Sequence, residues 1–398
     1  MTDDNFKILK IFKEHKGVFD VNTLIEAVFQ DIKTDLLTPS DIALLKLVFS
    51  DNPTQEALDK CLENYDIEVV GGHKALMLAY FMKMHPELVF PPYVLPRLKG
   101  LLQFYRFSNI KLFAHYSKIA RLFNSNNIDF LIFKGGCLRH LRPDFPRVMG
   151  DIDILVREND YNKCSQIVSE MGYSVSSDIH SFDIHLKDSI EGIMDIHKYI
   201  ILESECEKEF LNDLFSRATK QNVFGVQALV PSNEDMFFIS LVNMARNLKN
   251  RTSQNGVLFN LFDCKFLLES KPDFDFSVLS ENIRKTKTEA HISFALQFLN
   301  NIVPNVFGDL KIYKSIEKVF RNYCVLFVFQ RYFLLNMKQK SHTMKITDVF
   351  SNPKTFFDYI QFKPVYFFFK QKFIKNSPFW AEFILKRYYD NKREIERV

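Results

Sequence analysis

The segment Asp151-Ile152-Asp153-Ile154 is the feature that most constrains this chain. Successive side chains of a β-strand point to opposite faces, so the two aspartates share one face and the two isoleucines share the other. The isoleucine face predicts a strand that packs on a core. Two carboxylates held this close repel each other, and their burial is costly unless a cation lies between them. The segment therefore predicts a divalent-cation site of the kind that Mg²⁺ prefers. The alternative is an exposed strand edge with solvated aspartates.

A glycine pair lies just upstream of this segment. The apolar run at 128–133 predicts a buried strand, and Gly135 and Gly136 come between that strand and a short helix. Glycines allow close backbone approach, and the free N–H groups at a helix start bind anions. Lys134 and Arg147 add positive charge near the two ends of the unit. The unit therefore predicts a phosphate site; a simple tight turn with a solvated lysine is the alternative.

A third acid, Asp195, lies within an apolar segment at 192–197 that predicts another strand. A carboxylate from a neighbouring strand would complete a two-metal site, with the metals roughly 3.5–4 Å apart. In such a site Asp195 is a metal ligand and a candidate proton acceptor for the attacking hydroxyl. His197 shares its face by alternation, and His185 lies across the predicted hairpin. Either histidine is a candidate substrate contact or a structural residue.

In this order the motifs resemble a known family. A strand, Lys-Gly-Gly, a helix, Arg-x-x-Gly-Asp-Ile-Asp-Ile-Leu-Val and then Met-Asp-Ile-His resemble the uncharacterised bacterial nucleotidyltransferases of the polymerase-beta-like superfamily. The resemblance covers about 130–199 and continues more loosely as far as Asp263. There are two departures. Gly136 offers no serine hydroxyl, and Asn243 stands where relatives often place histidine.

The resemblance implies a site and a reaction. Asp151, Asp153 and Asp195 would bind Mg²⁺ or Mn²⁺ and carry catalysis, and Gly135 and Gly136 would contact the triphosphate. The reaction would move a nucleoside monophosphate from a triphosphate such as ATP to an acceptor hydroxyl, releasing pyrophosphate. The acceptor stays open among a small molecule, a protein and RNA. Two alternatives remain: a catalytically inactive module of the same fold used for binding or assembly, and an RNA-directed nucleotidyltransferase.

The predicted fold class is α+β. A polymerase-beta-like core with a short mixed sheet and flanking helices stands between N-terminal and C-terminal helical regions. The predicted boundaries are 1–125 for the N-terminal helical region, 126–202 for the core, 203–350 for the C-terminal helical domain and 351–398 for a basic aromatic helical tail. We expect that tail to pack its phenylalanines on the preceding domain, with nucleic-acid or lipid binding as the alternative.

Charge, cysteines and hydropathy limit the remaining classes. The net charge of +4 is too mild to indicate nucleic acid by itself. The six cysteines are scattered without a Cys-x-x-Cys pair, which argues against a zinc site or a disulfide scaffold and favours reduced thiols. The chain starts without a signal peptide, and no apolar run approaches the roughly 18–20 residues of a membrane span. We therefore expect a cytoplasmic protein.

Overall fold

The computed structural model describes residues 37–302 with gaps at 51, 64, 66–71, 144, 146, 178–180, 186–191, 202–204, 251–253, 272, 289–291, 293–294, 297 and 299–301. The predicted tail at 351–398 and the first predicted helices lie outside the described residues. The described residues up to Thr286, together with those at 295–302, belong to one compact unit.

Within the described residues, four helices precede the sheet: α1 (Pro39–Val48), α2 (Gln55–Glu63), α3 (Gly72–Met84) and α4 (Val94–Ser125). Helix α1 begins with a capping box, in which the Thr38 hydroxyl accepts a hydrogen bond from the Asp41 amide and the Asp41 carboxylate accepts one from the Thr38 amide. Helix α4 is 32 residues long and buries Tyr116 and Phe123. These helices agree with the helical periodicity of the sequence over the same residues.

The centre is a seven-stranded mixed sheet. Its strands are β1 (Phe130–Ile132), β2 (Asp153–Val156), β3 (Ser174–Ser177), β4 (Ser181–His185), β5 (Gly192–His197), β6 (Thr219–Val223) and β7 (Val226–Val230), in the spatial order β3-β4-β5-β2-β1-β7-β6. Strands β2 and β5 pair in parallel, as do β1 and β7, and the other neighbours are antiparallel. With helices around it, this sheet confirms the predicted α+β class.

Strands β6 and β7 correct one detail of the sequence analysis, which reads the chain after 203 as helical. They form a hairpin whose turn residues Phe224 and Gly225 both have positive φ, 51° and 83°. Strand β7 lies beside β1, so this hairpin extends the central sheet beyond residue 202. The boundaries of the domains stay a prediction.

The described part of the chain has six further helices around the sheet: α5 (Lys134–Leu141), α6 (Glu158–Glu170), α7 (Glu205–Arg217), α8 (Asn233–Asn250), α9 (Gln254–Glu269) and α10 (Phe276–Thr286). Helices α7, α8 and α10 meet at the buried Asp235. Its Oδ1 accepts hydrogen bonds from Arg217 Nη2 at 2.6 Å and from Asn282 Nδ2 at 2.8 Å. None of the described helices is both long and apolar enough to cross a membrane.

Candidate active site

Asp153, the first residue of β2, lies beside Asp195, the fourth residue of the parallel strand β5. The register pairs Asp153 of β2 directly with Asp195 of β5. The pairing extends one residue before β2, because the Ile152 amide donates to the Ile193 carbonyl at 3.2 Å and the Asp195 amide donates to the Ile152 carbonyl at 3.0 Å. Residues paired in this way project their side chains to the same face of the sheet. The strand order thus brings together two acids that are far apart in the sequence.

His197 and Lys134 neutralise this pair of acids. His197 Nε2 lies 3.0 Å from Asp153 Oδ1 and 2.8 Å from Asp195 Oδ2. Lys134 Nζ forms an ion pair with the same Oδ1 of Asp153. Burial alone would raise the pKa of Asp153, but the Lys134 ammonium and the hydrogen bond from His197 lower it to about 2. Burial and Lys134 oppose protonation of His197, yet its bonds to the two acids raise its pKa.

The ion pairs of this cluster involve one oxygen of Asp195 and leave the other available. Asp195 Oδ1 is buried and has no hydrogen-bond donor among the described residues. A buried carboxylate oxygen without a donor is costly, and a hard divalent cation is the ligand that satisfies it. One ligand atom each from Asp153, Asp195 and His197 lie within 4.8 Å of one another. The donor set therefore fits Mg²⁺ or Mn²⁺.

Asp183 is an acid that the sequence analysis missed. It lies on β4, in register with Asp195 on the side opposite to Asp153. Partial loss of hydration, followed by repulsion from Asp195, raises the pKa of Asp183 even though the residue stays exposed. The alternation Asp183-Ile184-His185 in the predicted hairpin carries the signal that would have found it. Three acids thus form a row across β4, β5 and β2.

Asp151 lies outside the strand in which it was predicted. Strand β2 begins at Asp153, the hydrogen bonds to β5 start at Ile152, and Asp151 occupies the bend that precedes them. The nearby Asp153 carboxylate raises the pKa of Asp151 to about 7. Because the Asp151 side chain is exposed, we attribute this shift to repulsion more than to loss of hydration. Its role as a metal ligand stays a prediction.

The glycine pair is required by packing. Helix α5 begins at Lys134, which has a positive φ of 50°. A Cβ atom at Gly136 would lie 2.8 Å from Ile132 Cδ1 and 3.2 Å from Ile152 Cγ2, and one at Gly135 would lie 2.9 Å from Met149 Cγ. The start of α5 therefore sits tightly against the strand that carries Asp153. Contact of the glycines with a triphosphate stays a prediction.

The side chain of Arg147 contacts helix α9 rather than Asp153 or Asp195. Its Nη2 lies 3.2 Å from Asp263 Oδ2 of α9, and its guanidinium lies 4.2 Å from the centre of the Phe259 ring. Its predicted contact with the triphosphate stays a prediction. The second histidine of the sequence analysis, His185, pairs with Gly192 at an irregularity between β4 and β5.

Comparison with known proteins identifies the family. The sequence profile described as "uncharacterised nucleotidyltransferase" matches residues 74–304, which is more than half of the chain. The chain belongs to this nucleotidyltransferase family. The match confirms the resemblance carried by the Lys-Gly-Gly, Asp-Ile-Asp and Met-Asp-Ile-His motifs, and it includes every site residue from Lys134 to Asp263. A search of curated proteins gave no significant match.

Two solved structures are similar to this nucleotidyltransferase family member. One is the solution structure of the antibiotic-resistance factor ANT(2″)-Ia, with 12% identity and a TM-score of 0.34 over 49% of this chain and 98% of that one. The other is an antigenic nucleotidyltransferase-like protein from Paracoccidioides brasiliensis, with 15% identity and a TM-score of 0.31 over 46% and 91%. At these TM-scores neither bears on the substrate or the reaction.

Proposed function

We propose that this chain is a metal-dependent nucleotidyltransferase that moves a nucleoside monophosphate from a nucleoside triphosphate to an acceptor hydroxyl. The observation that carries the proposal is the pairing of Asp153 with Asp195 around a carboxylate oxygen that has no donor among the described residues. Asp263 Oδ1 also has no such donor, but only at Asp153, Asp195 and His197 do three possible ligand atoms of the described residues lie within 4.8 Å of one another. The family supports the same reaction class.

The acids would hold the metal and take the proton. Asp153 and Asp195 are the ligands best supported by the register, and Asp151 would join them from the adjoining bend. Mg²⁺ or Mn²⁺ held there supplies positive charge that binds the triphosphate and makes the acceptor hydroxyl more acidic. The acceptor oxygen then bonds to the α-phosphorus, the bond to the bridging oxygen breaks and pyrophosphate leaves with its electron pair. The hydroxyl proton passes to Asp195.

Lys134 and the start of α5 would bind the phosphates. The Lys134 ammonium forms an ion pair with Asp153, so it is already beside the carboxylates at which a metal-bound triphosphate would bind. The backbone N–H groups of Gly135 and Gly136 belong to the first turn of α5, where a helix attracts anions. Each residue contributes positioning and charge, which supply most of the catalysis in phosphoryl transfer.

A nucleotide-binding titration tests the proposal. We expect Mg²⁺-dependent binding of at least one nucleoside triphosphate to wild-type protein. We expect it to weaken at least about 100-fold in Asp153→Ala and in Asp195→Ala, because changes to partners outside the metal's ligands already cost 10–100-fold. Asp129→Ala is the matched control, an exposed aspartate just before β1, and it should bind as wild type does. Incubation with each radiolabelled triphosphate and cell extract then identifies the acceptor.

The two alternatives give different results in the same experiments. A catalytically inactive module binds no nucleotide, or binds it equally well without Asp153 and Asp195. An RNA-directed enzyme shows RNA binding that weakens steeply with salt, because released counterions drive that association. If no such RNA binding is found, the acceptor should be sought among small molecules and proteins. The cytoplasmic location stays a prediction.

A further inference from the structure

Arg147 and Asp263 form a buried ion pair outside the carboxylate cluster, which consists of Asp153, Asp195 and the acids beside them, Asp151 and Asp183. Their charged atoms are 3.2 Å apart, and the two side chains are only 13% and 2% exposed. Burial of an unpaired charge is costly, so each side chain depends on the other. Arg147 lies four residues before Asp151, on the short loop that leads into β2. Asp263 lies on α9, which contributes none of the residues of the carboxylate cluster.

The loop is held on three sides. From α4, the buried Asn109 donates its Nδ2 to the Arg147 carbonyl at 3.0 Å. From α5, the backbone of Gly135 approaches the loop so closely that a Cβ there would lie 2.9 Å from Met149 Cγ. From α9, Asp263 and the face of Phe259 fix the guanidinium. Of these contacts, the pair with Asp263 is the one that carries a full charge on each side.

The orientation of Arg147 follows from this arrangement. A planar guanidinium that forms an ion pair with a carboxylate and stacks on an aromatic ring has few alternative conformations. Since its carbonyl is bound to Asn109, the backbone of the loop is fixed at the same point. The four residues that follow must then span a set distance to reach Ile152, whose amide and carbonyl bond to β5. Asp151 lies within this span.

We propose that Asp263 is a positioning residue of the active site. Through Arg147 it holds the loop 147–151, and thereby keeps Asp151 beside Asp153 for metal binding. The inference rests on the proposed function, because it assigns Asp263 to the support of that metal site. In this arrangement α9 stabilises the loop although none of its side chains touches the reacting groups.

Two measurements on Asp263→Ala test this inference. Hydrogen exchange of the Ile152 amide, which bonds to the Ile193 carbonyl at the end of the loop, should become about 10-fold faster or more, because the loop loses its charged anchor. The dissociation constant for Mn²⁺, measured by electron paramagnetic resonance, should rise about 10-fold or more, as for other residues that support metal ligands. Asp263→Asn, which keeps the size and one carbonyl oxygen, should fall between wild type and Asp263→Ala in both measurements.

Asp235→Asn is the matched control, since Asp235 is also buried and also bonded to an arginine, Arg217. We expect it to lower stability without changing exchange of the Ile152 amide or Mn²⁺ affinity. If Asp263→Ala does not fold, Arg147→Met combined with Asp263→Leu removes both charges, a change that folded proteins often tolerate. This double variant should still bind Mn²⁺ more weakly than wild type.

Three outcomes would overturn the inference: wild-type exchange and Mn²⁺ affinity in folded Asp263→Ala, full recovery of Mn²⁺ affinity in the double variant, or an equal effect in Asp235→Asn. The exchange measurement needs no metal. It therefore still decides whether Asp263 holds the loop if wild-type protein binds no Mn²⁺ and the proposed function fails.

Discussion

At the scale of single residues, Asp153 and Asp195 are neutralised unequally by the positively charged side chains around them. Both Lys134 and His197 contact Oδ1 of Asp153, whereas Oδ1 of Asp195 has no donor among the described residues. A cation that binds Oδ1 of Asp153 must compete with an ammonium and an imidazole. A cation that binds Oδ1 of Asp195 displaces no donor of the described residues. We therefore expect Asp195→Asn to weaken metal binding at least as much as Asp153→Asn.

Asp151 gives a pH dependence that can be measured without metal. Its pKa is about 7 in the folded protein, raised by Asp153 from an ordinary value of 3.8. Between about pH 6 and pH 8 the folded state therefore takes up a proton at Asp151, while the unfolded state does not. Proton uptake by the folded state alone raises the free energy of unfolding as pH falls. The metal-free protein should thus be more stable at pH 6 than at pH 8 through this group.

Replacement of Asp151 isolates its contribution to the change of unfolding free energy with pH. Other groups titrate in the same window, so the comparison is between wild type and Asp151→Asn in urea unfolding at pH 6, 7 and 8. At pH 8 we expect the variant to be more stable by on the order of 1 kcal/mol, a figure that allows for solvent screening of an exposed group. Asp129→Asn should follow wild type. If the free energy of unfolding changed with pH equally in wild type and Asp151→Asn, the Asp153 carboxylate would not raise the pKa of Asp151.

At the scale of secondary-structure elements, the strands with strong alternation were predictable. Ile152 and Ile154 are fully buried, while Asp153 of the same segment faces the carboxylate cluster. Strand β4 also alternates, with Phe182 and Ile184 buried and Asp183 exposed, and it pairs with β5, which carries Asp195. One face of β4 packs on the core and the other does not, whereas all four residues of β2 are buried, so the residue types rather than the exposure of β2 show the alternation.

Other elements depend on partners that no local pattern contains. Strand β6 has one buried residue, Val223, and its pairing with β7 defines it as a strand. Asp263 reads as an ordinary helical acid, and only the tertiary structure places it against Arg147. The sequence analysis places the glycine pair before the short helix, whereas α5 already begins at Lys134, which has a positive φ. In each case a contact between distant segments decides the conformation, which propensity alone does not determine.

The glycines of two helices predict opposite effects of alanine. At Gly136 in α5, a Cβ would lie 2.8 Å from Ile132 Cδ1 and 3.2 Å from Ile152 Cγ2, between two fully buried side chains. Such overpacking costs about 1–3 kcal/mol, so Gly136→Ala should be destabilised by that amount. At Gly100, inside α4, a Cβ meets nothing within 4 Å. Gly100→Ala should therefore be stabilised by about 0.5–1 kcal/mol.

Urea unfolding of the two variants checks this pair of predictions. Gly150→Ala serves as a third comparison, because its Cβ would also meet nothing within 4 Å and it lies beside the active-site loop. We expect its stability to stay within about 0.5 kcal/mol of wild type. Equal stability of Gly136→Ala and wild type would mean that Ile132 and Ile152 can move aside at no cost.

At the scale of the whole molecule, the carboxylate row on the sheet includes two acids, Asp151 and Asp183, whose raised pKa values mean that the folded protein disfavours their charged forms. Asp183, Asp195 and Asp153 lie on three adjacent strands, and Asp151 precedes the last of them. Helices α4, α5 and α9 hold this arrangement in place from outside the sheet, as the contacts of Arg147 and Met149 in the loop 147–151 illustrate. A fold that supports repelling charges in a fixed geometry is stabilised by any ligand that neutralises them, because the unfolded chain does not present the same geometry.

Ligand binding should consequently raise the midpoint of thermal unfolding. At a free ligand concentration 100 times the dissociation constant, linkage adds about 2.7 kcal/mol to the free energy of unfolding. For a unit of roughly 250 residues each kcal/mol shifts the midpoint by about 2–4 °C, so Mg²⁺ with the preferred triphosphate should raise it by about 5–10 °C. EDTA should reverse the shift, Asp129→Asn should retain it, and Asp195→Asn should lose most of it. An undiminished, EDTA-resistant shift in Asp195→Asn would mean that the nucleotide binds away from the carboxylate row, because only ligands held by those acids depend on their charge.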